Sequence, residues 1–392
     1  MQIRLIIYWS VVLCLLTLTR CSRVDRLPEI DIIKIGEFNW DKKEECTILY
    51  SHNGENVEIP AEIKYRGGHS ARYAKHSFSL ELVKKYPLAD LPKDDDWILN
   101  ANYIDKTFMR HKISYDLYKD MNGNNISAAS NYVNLMINGN PQGLYLITEE
   151  INGGQVELDK RDSLAMIFKD PPFLFEDRIT SPQDTNNYYQ QKFPKIKKYD
   201  HTAYIESFRN LIFNSSDEIF ANEIGQWIDI RNIIDWHLLL LYSYNADGIM
   251  KNFYLYKLDS SIPFRIDIWD YDHSFGRDGD NEMNMMDRSM RIERSILFNR
   301  LLDSKDLGYR DKLKTRWAEL RRNGLFSENY MELKVKEIDT HINQAVQANA
   351  KIWPWKSTWY YDDNNYEEEK SLFLKFVKMR LEVLDEEFEF SN

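Results

Sequence analysis

Cysteine is nearly missing: Cys14, Cys21 and Cys46 are the three in 392 residues. Three thiols cannot staple a chain of this length, so a disulfide scaffold is excluded and the fold must rest on a buried core. Glycine and proline are sparse too, at 15 and 11, which argues against a disordered or repetitive chain. No internal repeat is found. An excess of basic charge is also absent. Lys and Arg number 51 against 62 Asp and Glu, a net charge of -11, so no affinity for nucleic acid or for an anionic membrane surface is expected from charge.

The N-terminus has the pattern of a sorting signal. Arg4 gives a positive start, and the nearly unbroken apolar run Leu5 to Leu18 is short for a membrane span but suits the apolar stretch of a signal peptide. Cleavage would fall between Thr19 and Ser22. Leu18-Thr19-Arg20-Cys21 resembles a bacterial lipoprotein box, although Arg20 is bulky where small residues are usual. A lipid on Cys21 would attach the chain to a membrane and place it in the periplasm or on the cell surface. The expected order is a signal at 1–21, a linker at 22–29, a β-rich part at 30–150 and a mainly helical part at 151–392.

In the first part, Cys46 to Tyr50 and Val57 to Tyr65 flank Asn53-Gly54, a strong hairpin signal. Arg66-Gly67-Gly68-His69-Ser70-Ala71-Arg72 follows, then Lys75 and the alternating Phe78, Leu80 and Leu82. A glycine pair at a strand turn lets backbone N–H groups approach an anion, with Arg66, Ser70 and Arg72 as further donors. Lys75 stands where it could meet a phosphate as a point charge. The same residues also suit an ordinary glycine turn with solvated basic flanks. Asp105 to Asn122 reads as a helix capped by Asp105, with Phe108, Ile113, Leu117 and Met121 near one face and Arg110 among its polar positions. Val133 to Ile137 and Gly143 to Thr148 form a second hairpin. It runs into Glu149-Glu150-Ile151-Asn152-Gly153-Gly154, a flexible junction where a nucleotide base could lie, with Glu150 at its entrance.

In the second part, Ile230, Ile233, Ile234, His237, Leu238 and Leu241 repeat at helical spacing. His237 on that apolar face reads as a hydrogen-bonded core residue. The helix leads into Asn245-Ala246-Asp247, five residues before Asn252. Phe253 to Tyr256 and Phe264 to Ile268 then form strands joined by a turn, so that Asn252 and Asp270 meet at one end of a hairpin. Asp270-Tyr271-Asp272 closes it ahead of Ser274-Phe275-Gly276. Protein kinases place an Asp, an Asn five residues on, a hairpin and a metal-binding Asp in this order. Hard carboxylate oxygens are what Mg²⁺ requires. Arg277 to Asn281 is a polar loop near these acids. Amphipathic segments from Ile292 onward read as a helical subdomain. Trp353, Trp355, Trp359, Tyr360 and Tyr361 form an aromatic cluster that reads as a packing anchor.

Four blocks together, KYRGGHSARYAKHSFSLEL, LNANYIDKTFMRHKISYDLY, VNLMINGNPQGLYLITEEI, and NADGIMKNFYLYK with IDIWDYDHSFGRDGD, resemble the spore coat protein H (CotH) kinase family of atypical protein kinases. The resemblance implies an α+β, two-lobed protein-kinase-like fold with a β-rich N-terminal lobe and a mainly helical C-terminal lobe. It implies ATP with Mg²⁺ or Mn²⁺ as cofactors, and a protein substrate with a Ser or Thr acceptor. It also implies Lys75 as the phosphate-binding lysine, Asp247 as the catalytic aspartate, and Asn252 and Asp270 as metal ligands, with Asp272 a second candidate. The Asp105 to Asn122 helix offers no obvious Glu to pair with Lys75. Two other classes stay open: an inactive relative that binds a glycan or peptide at a surface, and a metal-dependent phosphohydrolase.

Overall fold

The computed structural model describes residues 26–171, 185–277, 292–356 and 362–391. The apolar leader, Cys21, residues 278–281 and the aromatic run 359–361 lie outside the described residues. Between Glu29 and Glu149 the chain forms seven strands: β1 (Glu29–Ile33), β2 (Glu44–His52), β3 (Glu55–Arg66), β4 (Ser77–Tyr86), β5 (Asp94–Asn100), β6 (Ser130–Ile137) and β7 (Asn140–Glu149). Period-two patterning turns one face of each strand inward. Along β3, for instance, Ile59, Ala61 and Ile63 are buried while Glu58, Pro60 and Glu62 are exposed. The β2–β3 hairpin closes on Asn53-Gly54, with φ of 51° and 88°, the left-handed pair that a two-residue turn requires.

The strands run in the order β1-β2-β3-β4-β5-β7-β6 and close into a barrel. Closure comes from β1 lying parallel to β6, with Ile30 opposite Leu135. Every other pairing in the barrel is antiparallel. Ile30, Ile48, Ile63, Leu80, Trp97, Val133 and Tyr145 fill the interior.

Helix α1 (Arg110–Met121) starts five residues later than the sequence pattern suggests. Asp105 does not act as its cap. Its carboxylate instead accepts from the Thr107 N–H at 3.0 Å, the Thr107 hydroxyl at 2.6 Å and the Arg110 N–H at 2.9 Å. These bonds tie residues 105–109 into a turn, and Phe108 takes a φ of 60° within it, which no helix tolerates. Although α1 is inserted between β5 and β6, its Ile113, Leu117, Tyr118 and Met121 join a second core outside the barrel.

That second core is built from a sheet and helices. Strands β8 (Met166–Lys169), β9 (Gln191–Phe193), β10 (Phe253–Lys257) and β11 (Arg265–Ile268) pair in the order β11-β10-β8-β9. Around them pack α2 (Thr202–Asn214), α3 (Asp217–Trp227), α4 (Ile230–Ser243), α5 (Ile296–Asp303), α6 (Tyr309–Arg322), α7 (Glu328–Ile352) and α8 (Tyr366–Glu387). The architecture is therefore mixed α+β, β-rich in its N-terminal part and helical in its C-terminal part. Helix α4 is buried on all sides from Asn232 to Ser243, capped by the Asp229 carboxylate. His237 lies in this core with Nδ1 3.2 Å from the Tyr309 hydroxyl, and burial lowers its pKa to about 3. Among the described residues no helix is long and apolar enough to cross a membrane.

One acid in the sheet has an unusual setting. Asp267 on β11 is fully buried, and neither of its oxygens makes a hydrogen bond of good geometry. Burial pushes its carboxyl well above the usual range, against a smaller opposing pull from the Gln155 amide and the Ile268 N–H. The folded state thus keeps a proton that the unfolded chain releases above about pH 4. Stability from this group is complete below that pH and is lost as pH rises toward the folded-state pKa. Asp267→Asn removes the dependence. In urea unfolding at pH 5 to 8, the variant should gain on the native protein by up to about 1.4 kcal/mol per pH unit. Parallel stability curves for the two proteins would contradict the assignment.

Candidate active site

A cleft of about 690 Å³ opens between the barrel and the helical part. From the barrel side it is lined by Arg66, Gly67, Gly68, Ser70 and Lys75, and from the other side by Asp247, Asn252, Asp270 and Asp272. Two candidates are not brought in. Arg72 is exposed and does not line the cleft, and Glu150 stays at the strand exit, where its N–H donates to the Asp96 carbonyl at 3.2 Å.

The glycine turn is shaped by one position. Gly67 has a φ of 136°, and a Cβ there would lie 2.4 Å from the Ser70 Oγ. The φ, more than the space, calls for glycine, because L side chains rarely adopt it. The turn continues as a short 3-10 helix, His69–Arg72. Beside it Arg66 places its guanidinium 5.3 Å from the Trp269 ring centroid.

Across the cleft the β10–β11 hairpin does what alternation and turn spacing suggest. Phe253 pairs with Ile268, the Trp269 N–H donates to the Asn252 carbonyl at 2.9 Å, and Asn252 Nδ2 donates to the Asp270 carbonyl at 3.3 Å. Asn252 and Asp270 both take left-handed backbone, with φ of 66° and 59°, a conformation that Asn and Asp bear better than most residues and that gathers at functional sites. Asp247 opens the 3-10 turn Asp247–Ile249 after α4. Its carboxylate is 2.9 Å from the Lys251 ammonium, and both side chains remain about half exposed to the cleft.

His111, on the first turn of α1, is the residue that sequence reasoning missed. Its Nε2 lies 3.1 Å from Asp270 Oδ1. One ligand atom each from His111, Asp270 and Asp272 fall within 4.8 Å of one another. Burial opposes charge on His111, but the Asp270 bond and the nearby acids outweigh it and raise its pKa. Desolvation within the cleft works against an ionised Asp270, although about half of its side chain is exposed, yet His111, Arg66 and His273 hold its carboxyl below the usual range. Asp272 is raised by burial, partly offset by His273, with the Asp270 charge adding to the rise. Two carboxylates that resist ionising together, beside an imidazole and a side-chain amide, form a donor set that fits a divalent cation.

Lys75 has a different setting from that expected of a phosphate ligand. Although its side chain borders the cleft, its ammonium donates to the Ala101 carbonyl at 2.9 Å, to the Leu144 carbonyl and to Asn349 Oδ1 at 3.1 Å. All three donors are thereby used, and the group sits 4.3 Å from the Tyr145 ring centroid. Burial lowers its pKa well below the ordinary lysine value. Among the described residues no carboxylate pairs with it. Asn349 comes from α7, and a Cβ on Gly143 would lie 2.3 Å from its Oδ1, so the notch at Gly143 is what admits it.

The matching profile is that of the CotH kinase proteins, and it spans residues 63–384. The chain belongs to the CotH kinase family. Inner spore coat protein H of Bacillus subtilis (strain 168) is 24% identical over 359 residues, covering 90% of this chain and 93% of that one. Among solved structures, the chain resembles one of the toxin–antitoxin system HipA, HipB and its operator DNA from Shewanella oneidensis MR-1. That match has a TM-score of 0.30 and 11% identity, covers 90% of this chain and 66% of that one, and is too slight to bear on the fold. Membership of the CotH family supports a kinase-like function, and a kinase-like family implies ATP and a divalent metal.

Proposed function

We propose that this CotH-family protein is a two-lobed, protein-kinase-like enzyme that transfers the γ-phosphate of ATP to Ser or Thr hydroxyls of a protein. The observation that carries the reading is the meeting of Asp247, Asn252, Asp270 and Asp272 with the Gly67-Gly68 turn across one cleft. His111, Asp270 and Asp272, with Asn252 beside them, would hold the divalent ion, which when bound neutralises charge on the transferring phosphoryl group. The bent backbone at Gly67 and the Arg66 guanidinium suit the nucleotide's anionic phosphates. Asp247, half exposed at the cleft, orients the acceptor hydroxyl and takes up its proton, and Lys251 fixes the direction of its carboxylate. Lys75 braces the barrel against α7. Export through the Leu5 to Leu18 run, with a lipid on Cys21, would make the acceptor an exported or surface protein.

The test is phosphate transfer from labelled ATP, with Mg²⁺ or Mn²⁺, to a mixture of acceptors. Asp247→Asn should lower the rate about 10²- to 10⁴-fold, the usual worth of a positioned base, while leaving nucleotide affinity nearly unchanged. Equal rates for the two proteins would remove Asp247 from the chemistry. One observation favours a second reading, an inactive relative that binds a glycan or peptide: the Lys75 ammonium is committed to three oxygens of the protein itself. Thermal stabilisation by a glycan, with none by nucleotide, would establish that reading instead.

A further inference from the structure

Behind the acidic turn lies a cluster of six charged side chains with balanced sign, Lys106, Arg110 and Arg277 against Asp105, Asp362 and Glu369, all buried except the partly exposed Asp362. Arg110 is fully buried at the start of α1, one residue before His111. Its Nε donates to the Ser274 carbonyl at 2.8 Å, in the turn that carries Asp270 and Asp272. Arg277 stands at the end of the same turn.

Both guanidinium groups converge on one carboxylate, that of Glu369 on α8. Its Oε2 accepts from Arg110 at 3.4 Å and from Arg277 Nε at 3.1 Å, and its Oε1 accepts from Arg277 and from Asn364 Nδ2 at 3.2 Å. Glu369 is 1% exposed. The turn is also pressed onto α8 sterically, because a Cβ on Gly276 would lie 2.9 Å from Leu372 Cδ2.

We propose that Glu369 is a positioning residue of the divalent-metal site: by holding Arg110 and Arg277 on one carboxylate, it fixes the spacing between His111 on α1 and Asp270 and Asp272 on the turn. This rests on the metal site of the proposed function. Without the Glu369 charge, Arg110 keeps Asp105 and Arg277 keeps Asp362. No carboxylate then stands between the two guanidinium groups, one buried positive charge is left unbalanced, and their repulsion separates α1 from the turn. The donor atoms then move apart, as loss of outer-shell support commonly does at metal sites.

The experiment measures Mn²⁺ binding to the full chain, without nucleotide, by electron paramagnetic resonance and calorimetry. Native protein should bind, Asp270→Ala should not, and Glu369→Gln should weaken the Kd about tenfold or more, the lower range for outer-shell losses. Asp235→Asn is the control for general loss of stability. It breaks another buried ion pair, to Arg316 at 2.7 Å, and should lower the melting temperature while leaving the Kd within twofold. If Glu369→Gln does not fold, Arg110→Lys serves in its place. It keeps the charge but cannot reach Ser274 and Glu369 together, and the same tenfold loss is expected. An unchanged Kd in a folded Glu369→Gln or Arg110→Lys protein overturns the proposal, as does an equal loss in Asp235→Asn. Failure of the native protein to bind Mn²⁺ removes the metal site itself, and this inference with it.

Discussion

Asp270→Ala is expected to eliminate phosphate transfer and, with it, any thermal stabilisation by nucleotide that depends on Mg²⁺. The expected loss in rate is on the order of 10³-fold or more, because removing a single fixed electrostatic partner of a transition state already costs about 10²- to 10³-fold. A nucleotide at a hundred times its Kd stabilises a fold by about 2.7 kcal/mol, so the shift in melting temperature for the native protein is easily read. The fold itself should survive the substitution, at a modest cost from placing Ala at a φ of 59°, since the Asp270 side chain is about half exposed. Its backbone anchors also persist, with the N–H donating to the Tyr115 hydroxyl at 3.2 Å and the carbonyl accepting from Asn252. Retention of the Mg²⁺-dependent shift in Asp270→Ala would show that the ion sits elsewhere.

The second large effect concerns Lys75, and its main expression should be structural. Lys75→Met keeps the length of the side chain and removes three hydrogen bonds donated to oxygens of three different segments. Part of the loss is returned, because a buried ammonium is costly to desolvate. Asn349 Oδ1 also keeps the Leu144 N–H at 3.1 Å. With about 1–3 kcal/mol for each buried acceptor left unsatisfied, a net destabilisation of roughly 2–4 kcal/mol is expected, measured by denaturant unfolding. Nucleotide affinity of the folded variant should change less than tenfold. A protein that keeps its stability but loses nucleotide binding would return Lys75 to the role of phosphate ligand.

What could be read in the sequence was what local chain geometry controls. Asn53-Gly54 announces its hairpin because only a left-handed pair closes a two-residue turn. Phe264, Ile266 and Ile268 alternate with polar neighbours, which fixes β11 and so brings Asn252 beside Asp270. Two of the features that escaped depend on partners far along the chain. His111 meets Asp270 across 159 positions, and nothing in its own helix marks it. Lys75 meets Asn349 across 274, and its other acceptors are backbone carbonyls, which every residue possesses. The start of α1 was misplaced because an Asp ahead of an apolar run signals a cap. Here Thr107 and Arg110 capture that carboxylate first.

The parallel seam between β1 and β6 has a bearing on how an acceptor can be held. With that seam made, the described N-terminal strands have no outer strand, and lateral annexation of a foreign strand finds no full edge there. On the barrel side, a segment that delivered its hydroxyl to the cleft would have to be held through side chains, and outer strands are left only to the β11-β10-β8-β9 sheet among the described residues.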